Sequence, residues 1–187
     1  MRRVSVRGTS GSGKTTTSRR LAELLGVPFI ELDALHHGPN WAEPAPEDFR
    51  AKVEAAIGEA PQGWVIDGSY ASKLGDLVLE QADTLVWLDL PLRVALWRLW
   101  RRTWGRIIRR QELWSGNRES IHTAFLMKDS LFAWTIKQHR PGRQRLLARI
   151  ARNPHLEVVQ LHSAREVEDF LDAAARAAES RPGAAQT

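Results

Sequence analysis

A chain of 187 residues, 43% hydrophobic and 26% charged, is long enough to bury a substantial core as one domain. The absence of cysteine excludes disulfides and thiolate metal sites, and no stretch approaches the roughly 18 consecutive apolar residues of a membrane-spanning helix. With no apolar run in Met1-Arg2-Arg3-Val4-Ser5-Val6-Arg7-Gly8 to act as a secretion signal, a soluble cytoplasmic protein is the expectation; its net charge is +5.

Arg3–Arg7 reads as a short strand that ends in a Gly/Ser/Thr loop. Lys14–Leu25 carries Leu21, Leu24 and Leu25 at helical spacing and stops at Gly26, with Pro28 beyond. Phe29–Leu32 is a second strand, and Asp33 to Trp41 a loop by its Gly38-Pro39-Asn40. Pro46–Ala60 is a helix with Phe49, Val53, Ala56 and Ile57 on one face. Trp64–Asp67 and Thr84–Leu90 are uninterrupted apolar runs, which suits strands covered on both faces.

From Leu92 to about Arg110 the period is helical again, and Ser115-Gly116-Asn117 breaks it. Ile121–His139 and Arg143–Arg152 read as two helices separated by Pro141-Gly142. Leu156–Leu161 is a fifth strand and Ala164–Ala178 a closing helix capped by Ser163. The residues from 180 to 187 form a polar tail expected to be disordered. Strands alternating with helices predict an α/β fold, a doubly wound sheet of five parallel strands.

Within this order, charge and tryptophan are unevenly spread. The residues from Arg93 to Arg152 hold fifteen Lys and Arg against three acidic residues, a block of +12 that leaves −7 for the rest of the chain. Such a block faces a polyanion: nucleotide phosphates, nucleic acid or an acidic membrane surface. Six of the eight tryptophans lie between Trp87 and Trp134, and composition leaves open whether they form core, lid or stacking platform.

The sharpest chemical signal is Gly8-Thr9-Ser10-Gly11-Ser12-Gly13-Lys14-Thr15, which matches G-x-x-x-x-G-K-[ST] and sits between a strand and a helix. Its glycines let the backbone curl so that successive N–H groups point into one anion-sized hollow at the positive end of the helix. Lys14 can then reach β- and γ-phosphates, and the Thr15 hydroxyl can ligate Mg²⁺. Three aspartates stand at or just past strand ends, where ligands gather in open parallel sheets. Asp67 is the candidate for the Mg²⁺ shell, Asp33 for orienting or deprotonating an acceptor hydroxyl, and Asp89 is read as structural.

These residues resemble the adenylate-kinase-like P-loop kinases, a group that includes nucleoside-monophosphate, shikimate and gluconate kinases. The pieces are Gly8–Thr16, Glu31-Leu32-Asp33-Ala34-Leu35 with Pro39-Asn40-Trp41, Trp64-Val65-Ile66-Asp67-Gly68-Ser69-Tyr70, and Ala82 to Pro91. They are most similar to a bacterial subgroup labelled topology-modulation (FlaR-related) proteins. The resemblance spans most of residues 1 to 170 and implies a single kinase-like domain over 1–179, with an arginine-rich lid at roughly 103–140. It implies ATP and Mg²⁺ as cofactors, with the loop from Gly8 to Thr16 around the phosphates.

In such kinases, arginines seven and eleven residues beyond the proline that ends strand four serve the nucleotide, which here implies Arg98 and Arg102. On a helical wheel Arg98, Arg102, Arg106 and Arg109 share one side. Trp97, Trp100 and Trp104 fall nearly opposite and are expected to pack under the sheet or lid. Arg118, Arg140, Arg143 and Arg145 are further candidates for phosphate clamps, and the family's adenine position falls at His162 to Arg165, with His162 as a candidate contact.

Two departures matter. Adenylate-type kinases place arginines where this chain has His36 and Ala71, so the bidentate grip on a monophosphate acceptor is missing, although Lys73 lies close by. His36 and His37 beside Asp33 suit a small hydroxyl-bearing acceptor instead. The expected function is therefore a Mg²⁺·ATP-dependent small-molecule phosphotransferase. The alternative is an ATP-binding, nucleic-acid-associated protein using the basic 93–152 block, though no groove-reading motif occurs there. No Asn-Lys-x-Asp base-reading motif supports a GTPase.

Overall fold

The structure is a computed structural model that describes residues 1–108, Ser115 and 131–180. Five strands, β1 (Arg3–Gly8), β2 (Phe29–Glu31), β3 (Trp64–Asp67), β4 (Thr84–Leu88) and β5 (Glu157–Leu161), form one all-parallel sheet in the order β2-β3-β1-β4-β5. The register sets Val6 beside Asp67 and Val86, so the loop after β1 emerges between the carboxyl ends of β3 and β4.

Alternation along each strand divides the core in two. Val4, Val6, Val65, Val86 and Leu88 face α1 (Lys14–Leu25) and α8 (Ala164–Glu179), where Leu21, Ala22, Val167, Leu171 and Ala174 cover them. Trp64, Ile66 and Leu85 face the other way, onto Phe49, Val53 and Ile57 of α3 (Pro46–Gly58). Leu74 of the short α4 (Ala71–Leu74) and Leu77 and Val78 of α5 (Leu77–Gln81) complete that layer, with Leu146 and Ile150 of α7 (Leu131–Arg152) against it. Burial on both faces explains why β3 and β4 read as continuous apolar runs. Ser163 caps α8 by accepting the Glu166 N–H at 3.2 Å, as expected.

Several elements differ from the sequence reading. Asp33 to Trp41 is not an open loop: α2 (Leu32–His36) and a 3-10 turn at Pro39–Trp41 organise it, because Leu32 is wholly buried beneath this segment and pins its start. The chain between β3 and β4 forms α4 and α5, two pieces too short for their periodicity to be read.

α7 runs unbroken through Pro141 and Gly142, where two helices were expected. Pro141 removes one backbone donor and costs about 3 kcal/mol, and tertiary anchors on its C-terminal side offset this. Leu146 and Ile150 pack on the core, while Arg149 and Arg152 hold Asp76 at 3.0 and 2.8 Å. A Cβ added at Gly142 would meet nothing within 4 Å. Gly142→Ala should therefore stabilise the chain by about 0.5–1 kcal/mol, read as a rise of a few degrees in thermal midpoint.

α6 (Leu92–Ile108) faces the body with Ala95, Leu99 and Thr103, and of its three tryptophans only Trp104 is half-buried. Trp97 and Trp100 are 58% and 42% exposed and stack on each other at 5.1 Å. The phosphate loop explains this inversion: a Cβ at Gly11 would lie 2.2 Å from the Ala95 carbonyl oxygen, so α6 approaches too closely for bulky rings on that side. Among the described residues no helix is long and apolar enough to cross a membrane. Of the expected lid, 109–114 and 116–130 lie outside the described residues, with Arg109 and Arg118, as does the tail from 181 onward.

Candidate active site

The loop from Gly8 to Gly13 closes tightly between β1 and α1, with the Ser12 N–H donating to the Thr9 carbonyl at 3.0 Å. Gly11 has φ +82° and Gly13 φ +97°, left-handed values that admit few other residues. Lys14 and Thr15 open α1, and Thr16 follows one residue on, so the free N–H groups of the helix start and the loop amides share one mouth. The Lys14 ammonium donates to the Thr9 carbonyl at 3.2 Å. Burial pulls its pKa down, opposed by the negative charges of Asp67 and Asp33.

The Thr15 hydroxyl donates to Asp67 Oδ2 at 2.5 Å, bridging α1 and the end of β3. Asp67 is 4% exposed, and its Oδ1 has no hydrogen-bond donor among the described residues. Burial pushes this carboxyl up from its ordinary range, against the pull of Lys14 and Thr15. A hydroxyl and an under-satisfied carboxylate side by side are hard oxygen donors of the kind Mg²⁺ selects, so this pair fits that ion. Three or more His, Asp or Glu side chains do not converge on a metal-sized point among the described residues.

Asp33, on α2, receives the Tyr70 hydroxyl at 2.6 Å. Tyr70 has φ +37° and follows β3 by three residues, so the chain bends sharply to point its ring at the neighbouring strand end. Burial and the Asp33 charge push the Tyr70 pKa up, which keeps the hydroxyl a donor. Its ring lies 4.3 Å from His36 and 5.0 Å from Phe49, both anchored in the core. Lys73 donates to His36 Nε2 at 2.6 Å and to Glu43 at 2.7 Å. Burial and the Lys73 charge pull the His36 pKa down, which disfavours the imidazolium.

Beneath these groups Arg7, 5% exposed, donates from Nη1 to the Gly68 carbonyl. Burial pulls its guanidinium down to about 10, which leaves it charged at neutral pH. Arg149 donates to the carbonyls of Gly75 and Ala71 at 2.7 and 3.3 Å, so two arginines brace the segment that carries Tyr70. Sequence reasoning missed both arginines and the Tyr70–Asp33 pairing. The signals were faint: a charge inside an apolar strand at Arg7, and the chain's one tyrosine just after an Asp-Gly.

Of the predicted arginines, Arg98 donates to the Ser12 carbonyl at 3.3 Å, and the charge of Arg102 is felt at Lys14. Arg106 lies further along α6 and is half-buried. Arg143 sits on Asp89 at 3.0 Å and over the Trp87 ring at 5.3 Å; Arg145 holds Gln138, and Arg140 is exposed. Asp89 also accepts from Gln160 at 2.7 Å, tying β4 to β5. His162 is exposed, with its ring 3.8 Å from Asp89 and its backbone N–H donating to Glu166.

No family model matches the chain, and no curated protein matches it. Solved structures do. A shikimate kinase from Acinetobacter baumannii in complex with shikimate is 16% identical, with 96% of this chain and 94% of that one covered at a TM-score of 0.54. A shikimate kinase from Bacteroides thetaiotaomicron is 18% identical over 95% and 98% of the two chains, also at 0.54. A gluconokinase from Sinorhizobium meliloti 1021 is 25% identical over 95% and 93%, at 0.46. The five-stranded parallel sheet with its helices on both faces is the P-loop kinase fold seen in the two shikimate kinases.

Proposed function

We propose that the chain is a Mg²⁺·ATP-dependent phosphotransferase acting on a small hydroxyl-bearing acceptor. One observation carries this: Lys14, the Thr15–Asp67 pair and the Tyr70-bound Asp33 surround a single loop mouth at the carboxyl ends of β1, β2 and β3. Thr15 and Asp67 would hold Mg²⁺, which when bound neutralises phosphate charge. The loop amides, Lys14, Arg98 and Arg102 would bind the phosphates and balance the charge that develops during transfer. Asp33 would receive the acceptor's hydroxyl proton, with Tyr70 fixing the carboxylate's orientation. The fold shared with the two shikimate kinases supports this reading, as does the resemblance to the adenylate-kinase-like P-loop kinases, whereas the label of the topology-modulation subgroup points to the second reading below. Residues 1–179 would form the one domain, with the basic segment closing over the nucleotide.

The acceptor is not a nucleoside monophosphate in this reading. Burial and Lys73 disfavour a charge on His36, Ala71 carries none, and Lys73 is already engaged by Glu43. A screen of hydroxyl metabolites, nucleosides and nucleoside monophosphates for ADP release tests it. Turnover confined to monophosphates would refute the acceptor assignment, and Mg²⁺·ATP binding left intact in Asp67→Asn would refute the metal assignment.

A second reading is favoured by the exposed Trp97–Trp100 stack, with exposed Arg93 and Arg101 on the same helix: single-stranded nucleic acid could stack there. Such binding should weaken steeply between 50 and 200 mM salt. Absence of salt-sensitive binding would remove this reading.

A further inference from the structure

α7 packs on the core layer through Leu146 and Ile150, and its successive turns towards the N-terminus reach different parts of the site. Arg149 braces the backbone that carries Tyr70, and Arg143 reaches Asp89 and Trp87 at the end of β4. One turn earlier, half-buried His139 places Nδ1 3.3 Å from the Thr9 hydroxyl oxygen. This contact joins residues 130 positions apart and touches the phosphate loop itself. Thr9 is thus met twice, by the Lys14 ammonium on its carbonyl and by the His139 imidazole on its hydroxyl.

We propose that His139 is a phosphate contact that holds the outermost phosphoryl group of the bound nucleotide opposite Lys14. The proposal rests on the kinase reading above. The inner phosphates belong to the backbone amides of the loop, whereas a side chain standing at Thr9 on the rim meets the last one. A ring nitrogen satisfied by a neutral hydroxyl gains by exchanging it for an anionic phosphate oxygen, since charge-assisted hydrogen bonds are about twice as strong as neutral ones. The exchange needs no backbone movement, because the imidazole already stands within hydrogen-bonding distance of the loop. No motif marks His139. It reaches the loop because α7 continues through Pro141.

Titration calorimetry of a Mg²⁺-bound non-hydrolysable ATP analogue and of Mg²⁺·ADP, on the full chain, tests the assignment. His139→Ala should weaken the triphosphate about tenfold while changing ADP affinity less than twofold. His139→Asn, whose amide nitrogen stands where Nδ1 does, should recover most of the loss. Equal losses for both nucleotides would mean that His139 only supports the loop, and no loss for either would mean that it does not meet the phosphates; each result overturns the proposal. Lys14→Ala separates this from the broader reading. If wild type binds the triphosphate through Lys14 and His139→Ala is silent, the His139 assignment alone falls; if wild type binds neither nucleotide, both fall.

Discussion

Replacing Lys14 with alanine should lower phosphoryl transfer by about 10²–10³-fold, the usual consequence of removing one group that stabilises developing charge. The fold should survive, because the Lys14 side chain donates to a carbonyl of its own loop and bridges no distant element. Its ammonium stands where the charges of Asp67, Asp33 and Arg102 are all felt, so its removal acts on the phosphate and not on the core. Nucleotide affinity should fall with turnover, by about tenfold or more for one lost charge-assisted contact. Calorimetry with Mg²⁺·ATP and a thermal melt check this together. Unchanged affinity and turnover in a folded variant would end the assignment of the loop as the nucleotide site.

Phe49→Ala should act in the opposite way, on the core first and on the site through it. Phe49 is wholly buried in the layer formed by Trp64, Ile66 and Leu74, and truncating such a ring costs about 3–5 kcal/mol. Against a typical total of about 5–15 kcal/mol, this is a large fraction. At about 2–4 °C per kcal/mol for a chain of this size, the midpoint should fall by roughly 6–20 °C. The ring also packs edge-on against His36 at 4.9 Å and Tyr70 at 5.0 Å, so the surviving folded molecules should hold Asp33 less firmly. A midpoint shift under about 2 °C would show that the cavity collapses at little cost, contrary to the packing described.

Much of the fold was legible because its signals are local. The loop from Gly8 to Thr15 declares itself by residue type at fixed spacing, and α1 begins at Lys14 and ends at Leu25, the limits its periodicity gives. β3 and β4 read correctly as apolar runs because both of their faces are buried, whereas β1 carries Ser5 and Arg7 and β5 carries Glu157 and Gln160 among their apolar residues. At the candidate site, Lys14, Thr15, Asp67 and Asp33 were legible for a related reason. They sit on the loop or just past strand ends, and a parallel sheet brings such ends to one edge.

Sequence by itself therefore determined the strand–helix alternation, the phosphate loop and the carboxylates at its rim, all properties of short windows. The tertiary structure alone decided the rest. It turned Trp97 and Trp100 outward because α6 must approach Gly11 with small residues, and it carried α7 through Pro141 because residues beyond the proline are anchored on the core and Asp76. It paired Tyr70 with Asp33 across 37 positions and His139 with Thr9 across 130. These outcomes depend on which surfaces meet after folding, and a helical period or a turn residue carries no information about a partner so far along the chain.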